Sequence, residues 1–277
     1  MNPQSPAEQD ILGTAGLRVI GNGFVGNAVY QNLRDKVNCK VYDADKNRSL
    51  NTLGEVINQE FIFVCLPTPM REGGECDLSI LDNFFKELPE YIDGTFIIKS
   101  TVPIGTTKKY TERHNVIHNP EFLTARNAVE DFSNSERNIV GGDQELCVDF
   151  IRFFEQCFPD IPSIITTSDE SEAIKYFSNT FLAYKVAYFN KIYDFCQAVG
   201  MDYDVVCEGV TADSRIGKSH TKVPGIDNDR GFGGTCFPKD LNSLIVQMEN
   251  HDVNADMFKE IWKYNEQIRK VIDWPVT

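Results

Sequence analysis

A thiol set just after a glycine-rich turn and at the start of a helix is the arrangement that favours the thiolate, because unpaired N–H groups at a helix start stabilise negative charge. The run GFGGTCFPKD, Gly231 to Asp240, puts Cys236 in that position with Lys239 three residues on. A thiolate there could attack an electrophilic carbon. The spacing fits a buried, inert thiol equally well, which is the state expected of most of the other cysteines. Lys175 and Asn179 stand four residues apart in a stretch of helical periodicity and so share a face. Such a face could present a cation and an amide donor to a developing oxyanion; taken alone, an exposed surface pair is the plainer reading.

A second chemistry-bearing motif is GNGFVG, Gly21 to Gly26, which follows the strand-like LRVI and opens a helical pattern, while the next strand, CKVYD, ends at Asp43. Glycines at 21, 23 and 26 allow a tight turn and close approach of the backbone to a pyrophosphate seated on a helix N-terminus. Asp43 stands where a carboxylate accepts from a ribose 2′-hydroxyl and repels a 2′-phosphate, so the pattern predicts NAD rather than NADP.

These residues need a scaffold, and the hydrophobic pattern supplies one. From Leu17 to about Thr167, short β-rich runs (LRVI, CKVYD, FIFVCLP, TFIIKST, NVIH, NIVGG, SIITT) alternate with amphipathic stretches, the mark of βαβ units and a parallel sheet. The predicted class is α/β: a Rossmann-like dinucleotide-binding domain over residues 1–167, then an all-helical domain over 168–277 with one long central helix. That helix runs from about Asp169 to Gly200, capped by Ser168 or Asp169 and stopped by Gly200. A shorter helix is expected over Asp202 to Glu208, a long functional loop over Gly209 to Thr235, and further helices over Lys239 to Met248 and Asn254 to Asp273. Tyr184, Phe189 and Tyr193 give the long helix more apolar surface than one small domain covers, which predicts a homodimer.

Composition narrows the function further. Lys and Arg number 27 against 41 Asp and Glu, a formal charge of −14, which argues against nucleic acid or anionic membranes as partners and requires a local basic pocket for an anionic small molecule. No apolar stretch approaches the roughly 18 residues of a membrane span. Met1 to Gly16 is polar and reads as a floppy lead-in rather than a secretory signal. Eight cysteines without C-x-x-C spacing are expected to be unbridged thiols in a cytoplasmic protein. His114, His118, His220 and His251 make no ligand spacing, so no metal is expected.

Taken together, GNGFVG, FVCLPTP (Phe63 to Pro69), KSTVPIGTT (Lys99 to Thr107), HNPEFLTARNA (His118 to Ala128), KYFSNTFLAYKVAYFN (Lys175 to Asn190), SRIG (Ser214 to Gly217) and GFGGTCFPKD resemble, in order and spacing, the nucleotide-sugar dehydrogenases. The resemblance implies an NAD-dependent four-electron oxidation of a nucleotide sugar at C6, UDP-glucose to UDP-glucuronate foremost, through a thiohemiacetal and a thioester on Cys236. GDP-mannose oxidation and a non-catalytic NAD-binding partner protein are the alternatives. It also implies that Lys175 and Asn179 donate to the oxyanion, that Thr101 and Asp240 hold a relay water, and that Glu121 activates water for hydrolysis.

Cofactor contacts would come from Gly21, Gly23, Phe24, Val25, Gly26, Asp43, Arg48, Thr68 and Ser100. Substrate contacts would come from Glu121, Phe122, Leu123, Lys175, Asn179, Arg215, Phe232 and Gly233. Family members usually carry a second glutamate four residues after that of NPEF, where this chain has Ala125. They also carry a further nucleotide-binding domain beyond the helical region. Its contacts are expected to be replaced in part by a basic loop bearing Arg215, Lys218, His220, Lys222 and Arg230, which could wrap a diphosphate. The long helix would join two subunits, with Arg215 reaching the neighbour's site.

Overall fold

The computed structural model describes residues 16–57 and 59–277; the expected lead-in over Met1 to Gly16 lies, but for Gly16 itself, outside them. The chain forms two compact units. The first takes the described residues up to Thr68 together with Leu78–Lys175, and the second takes Pro69–Asp77 and Tyr176–Thr277.

The first unit is built on seven strands: β1 (Gly16–Ile20), β2 (Asn38–Tyr42), β3 (Phe61–Val64), β4 (Thr95–Ile98), β5 (Asn115–His118), β6 (Asn138–Gly141) and β7 (Ser163–Thr166). They form one sheet in the order β2-β1-β3-β4-β5-β6-β7. Pairing is parallel from β2 through β5 and between β6 and β7, but β6 meets β5 antiparallel at His118 and Gly141. The parallel sheet expected from the sequence is thus found, with one antiparallel junction.

Side chains alternate across this sheet because the strand period is two. Leu17, Val19, Phe61, Phe63 and Ile97 face one apolar layer, and Ile20, Ile62, Val64, Phe96 and Ile98 face the other. The first layer is covered by α1 (Phe24–Leu33) and α6 (Gln144–Cys157), and Phe150 of α6 packs edge-on to Phe61 and Phe63 at 5.7 Å. The second is covered by α3 (Ser79–Glu87) and α4 (Thr106–Thr111), where Phe85 stacks on Tyr110 at 4.1 Å. Two short helices, α2 (Leu53–Val56) and α5 (Ala128–Ser133), complete the unit.

The long helix is α7 (Ser168–Val199), 32 residues, and Gly200 ends it with φ of +74° as expected. Its cap is Thr167 rather than Ser168 or Asp169: the Thr167 hydroxyl accepts from the Glu170 N–H, and Glu170 Oε2 accepts from the Thr167 N–H at 2.8 Å, a reciprocal capping box. The first two turns of α7 belong to the sheet unit because Glu172 is bound there. Its carboxylate accepts from the N–H groups of Gly105 (2.6 Å) and Thr107 (2.7 Å) and from the Thr107 hydroxyl. Burial pushes Glu172 up to about 6 against those same hydrogen bonds. The unit boundary therefore falls inside the helix, after Lys175, and not at its start.

The second unit holds the rest of α7 with α8 (Tyr203–Thr211), α9 (Phe237–Asn250) and α10 (Asp256–Ile268). Each helix differs by a few residues from its expected span, and α8 extends into the expected loop. The segment Pro69–Asp77 joins this unit through bridges from Met70 to Cys76 and Val276, which no periodicity in the sequence signalled. One small core gathers Ala183, Ala187, Phe232, Leu241 and Ile261, and another Phe189, Cys196, Tyr203 and Val223. Among the described residues no helix is long and apolar enough to cross a membrane, and no disulfide joins any of the eight cysteines.

Candidate active site

In the first unit the glycine motif fits a dinucleotide. Gly21 has φ of +88°, and a Cβ there would lie 2.5 Å from the Cys65 carbonyl, so only glycine permits the turn after β1 to pass this close to the end of β3. A Cβ on Gly26 would fall 1.8 Å from the Gly21 carbonyl, whereas beside Gly23, the cap of α1, there is open space. The backbone of Gly23, with Phe24 and Val25 opening α1, is thus accessible to a phosphate at a helix N-terminus. Asp43 directly follows β2, with Oδ2 accepting from the Asn22 N–H at 2.6 Å and Oδ1 from the Asp45 N–H at 2.8 Å. Each oxygen keeps a lone pair for a ribose hydroxyl. Arg48 is exposed beside Asp45 at 3.5 Å. Thr68 donates to the Thr101 carbonyl at 2.8 Å, and Ser100 to the Leu66 carbonyl at 2.5 Å, which ties together the segments that follow β3 and β4.

Beyond β5, the NPEF turn carries Glu121 into a buried position (7% exposed). Lys175 Nζ donates to the Glu121 carbonyl at 2.5 Å and to Oε1 at 2.9 Å, while Oε2 accepts from the Leu123 N–H at 2.6 Å. The Phe122 ring lies 5.3 Å from Lys175 Nζ and carries the Arg137 guanidinium at 4.5 Å. Lys99 had no role assigned from sequence. Its Nζ donates to the Asn119 carbonyl (3.0 Å) and to Asn119 Oδ1 (2.8 Å), fixing the start of the NPEF turn, and burial pushes it down to about 8. Only its place in the run KSTVPIGTT could have pointed to it. His118 beneath the turn is buried against Ser171 at 2.8 Å, and burial pushes it down to about 3.

In the second unit, Cys236 is the cap of α9, with Pro238 in the first turn where its missing N–H costs nothing. Asn179 is buried and donates Nδ2 to Asp240 Oδ2 at 2.6 Å. The other oxygen, Oδ1, lies 2.7 Å from Lys239 Nζ in a buried ion pair. Burial works against the Lys239 charge, but Asp240 beside it outweighs burial and holds its pKa above the ordinary lysine value. The Lys239 charge, expected to act on Cys236, is engaged by Asp240. Lys175 and Asn179 are both buried and hydrogen-bonded, so the plain surface pair is excluded.

Arg230, expected in the basic loop, pairs with Asp194 at 2.6 Å, donates to the Asn190 carbonyl and lies over the Tyr193 ring, half-buried against α7. Arg215 is exposed, with Nε and Nη2 both on the Asp213 carboxylate. Of the three aromatics expected on the surface of α7, Phe189 is buried and Tyr193 packs on Tyr203 at 5.3 Å. The exposed stripe is instead Phe177, Phe181, Tyr184, Tyr188, Phe195 and Val199. Phe232 is buried and Gly233 partly so, in the turn ahead of Cys236.

Comparison with known sequences finds the NAD binding domain of the UDP-glucose/GDP-mannose dehydrogenase family over residues 44–157 and the central domain of that family over 169–267. UDP-glucose 6-dehydrogenase TuaD of Bacillus subtilis is 31% identical, matching 91% of this chain and 63% of that protein. UDP-glucose 6-dehydrogenase of Rickettsia felis is 34% identical, matching 86% of this chain and 55% of that protein. The chain thus spans less than two thirds of the length of these relatives. A UDP-glucose dehydrogenase from the archaeon Pyrobaculum islandicum superposes with a TM-score of 0.81 at 26% identity, covering 92% of this chain and 69% of the other.

Proposed function

The chain belongs to the UDP-glucose/GDP-mannose dehydrogenase family, and from that premise we propose that it oxidises the C6 alcohol of a nucleotide sugar to the uronic acid, with UDP-glucose as substrate. The observation that carries this reading is the burial and hydrogen bonding of Lys175 on Glu121 and of Asn179 on Asp240, with Cys236 at a helix start. NAD, when bound by Gly21, Gly23, Gly26 and Asp43, supplies the hydride acceptor.

Cys236 captures the C6 aldehyde as a thiohemiacetal, which oxidation converts to a thioester. Lys175 Nζ and the second N–H of Asn179 stabilise the oxyanion. Asp240 orients Asn179 by accepting its first N–H. Glu121, its Oε2 anchored by Leu123, presents a carboxylate for water in thioester hydrolysis. Self-association through α7 follows from its exposed aromatic stripe, whose members recur at four and three residues over Phe177, Phe181, Tyr184 and Tyr188.

The test is turnover with UDP-glucose and GDP-mannose, reading NADH and uronate together. The expected result is about two NADH per uronate, as four electrons require, with Cys236→Ala making no uronate while still binding NAD. Uronate formation by Cys236→Ala at the wild-type rate defeats the mechanism. Turnover of GDP-mannose alone defeats the substrate assignment. NAD binding without turnover of any nucleotide sugar marks a non-catalytic member.

A further inference from the structure

The turn that delivers Cys236 is not self-supporting. Residues 227–235 lie against α10 and the segment after it, and several of their backbone groups are taken up by side chains from α7, α10 and that segment. Asn265 of α10 is fully buried; its Oδ1 accepts from the Phe232 N–H at 2.8 Å, and its Nδ2 donates to the Phe232 carbonyl at 2.9 Å. Asn190 of α7 accepts from the Gly231 N–H at 3.2 Å. Asp273 Oδ1 accepts from the Gly234 N–H at 3.0 Å. Arg269, four residues after Asn265, has a side chain 2% exposed and donates to Asp227 at 2.8 Å and to Asp273 at 3.0 Å. Asp229 accepts from the N–H groups of Lys270 and Val271 at 3.0 and 2.9 Å, which closes the turn onto the segment after α10.

The glycines of GFGG record the same contact. A Cβ on Gly231 would lie 2.2 Å from Asn265 Oδ1, and one on Gly233 would lie 2.1 Å from an Arg269 nitrogen and 2.2 Å from Asp273 Oδ1. Gly231 and Gly233 are glycine because side chains of α10 and of the segment after it occupy the volume a Cβ would need, as well as for the turn itself, in which Gly231 and Gly234 have φ of +66° and +74°.

We infer that Asn265 is a positioning residue for the Cys236 nucleophile, with Arg269 and Asp273 completing a clamp on the turn ahead of it. A primary amide matches Phe232 because it offers a donor and an acceptor side by side. Aspartate keeps the acceptor but sets an oxygen against the Phe232 carbonyl, and alanine leaves both buried backbone groups without a partner. Cys236 caps α9 four residues after Phe232, so a slack turn displaces Sγ relative to whatever it attacks, and a misplacement of about 1 Å costs about a hundredfold in rate.

The inference rests on the reading of Cys236 as nucleophile, and its test has an arm that does not. In the full chain, Asn265→Ala, Asn265→Asp and Asp273→Asn are compared with wild type in two measurements: kcat and KM for NAD and UDP-glucose, and the site-resolved rate of iodoacetamide alkylation across pH. The expected result for Asn265→Ala is a fall in kcat of about ten- to hundredfold with KM for NAD unchanged. Alkylation of Cys236 should change in rate and pH profile while that of Cys39 and Cys65 does not. Asn265→Asp should fall between, and the milder Asp273→Asn should move both readouts in the same direction if Asn265→Ala fails to fold.

An unaltered Cys236 alkylation profile in a folded variant overturns the inference, whatever happens to kcat. So does a uniform rise in alkylation of all cysteines, since that is global loosening. If the wild type turns over no nucleotide sugar, the functional reading fails while the alkylation arm still decides the clamp.

Discussion

Replacing Lys175 by methionine keeps the length and helix preference of the side chain and removes two contacts, the 2.5 Å bond to the Glu121 carbonyl and the 2.9 Å bond to Glu121 Oε1. Glu121 Oε2 keeps its partner in the Leu123 N–H, so the loss is one buried counter-ion and one buried carbonyl partner. Both side chains are nearly inaccessible, at 3% and 6% exposure, and removing one member of such a pair costs about 3–5 kcal/mol because the other charge stays buried and uncompensated.

At about 2–4 °C per kcal/mol for a unit of this size, the melting transition of the sheet unit should fall by about 6–20 °C. Adding Glu121→Gln removes the stranded charge and should return about 1–3 kcal/mol of that loss. Turnover should behave differently. It should drop about 100- to 1000-fold with Lys175→Met, as for loss of another oxyanion donor, and the second substitution should not restore it. The assays are scanning calorimetry and NADH formation on the same three variants. A Lys175→Met melting point within about 2 °C of wild type would refute the energetic argument. Recovery of turnover by Glu121→Gln would refute the oxyanion role.

Three further outcomes follow from the same geometry. His118 has an ordinary value of 6.5 and is pushed down to about 3 by burial, so between those pH values the unfolded chain binds the extra proton. The contribution of neutral His118 is fully present above pH 6.5 and is lost as pH falls toward 3, by about 1.4 kcal/mol per pH unit. His118→Gln should therefore show a flatter loss of stability from pH 6.5 to 4.5 in urea titrations, and an unchanged slope would count against it. Gly26→Ala forces a Cβ to within 1.8 Å of the Gly21 carbonyl and should abolish NAD binding by fluorescence titration while leaving the second unit's helices folded; retained affinity would contradict the cradle. Phe181→Glu, at a position 64% exposed, should shift a dimer to monomer in sedimentation with a melting change within about 0.5 kcal/mol in the monomer, and a wild type that sediments as monomer at micromolar concentration removes the basis for the stripe as an interface.

Local sequence by itself determined the elements and their chemistry. Short β-rich apolar runs made the seven strands, the glycine spacing made the turn of GNGFVG, and Gly200 ended the long helix, because each depends on backbone freedom and side-chain type within a few residues. The motif residues also lie in elements of the type their local pattern predicted. Direction and partnership belonged to the tertiary structure.

No local pattern says that β6 runs against β5, that Pro69–Asp77 joins the helical unit, or that α7 is claimed by the sheet unit as far as Lys175 through Glu172. The same holds for charge. Lys239, Arg230 and Arg215 look alike in sequence as basic residues near a glycine-rich loop. Their roles diverge because burial decides which cation must find a partner: Lys239 takes Asp240 and Arg230 takes Asp194, while Arg215 stays exposed beside Asp213. On α7, Phe189 and Phe181 are equally apolar, and only the packing of the other helices decides that one is core and the other surface. These outcomes depend on which groups meet across long stretches of chain, and a buried charge or an apolar face acquires its role only once a partner distant in sequence has been folded against it.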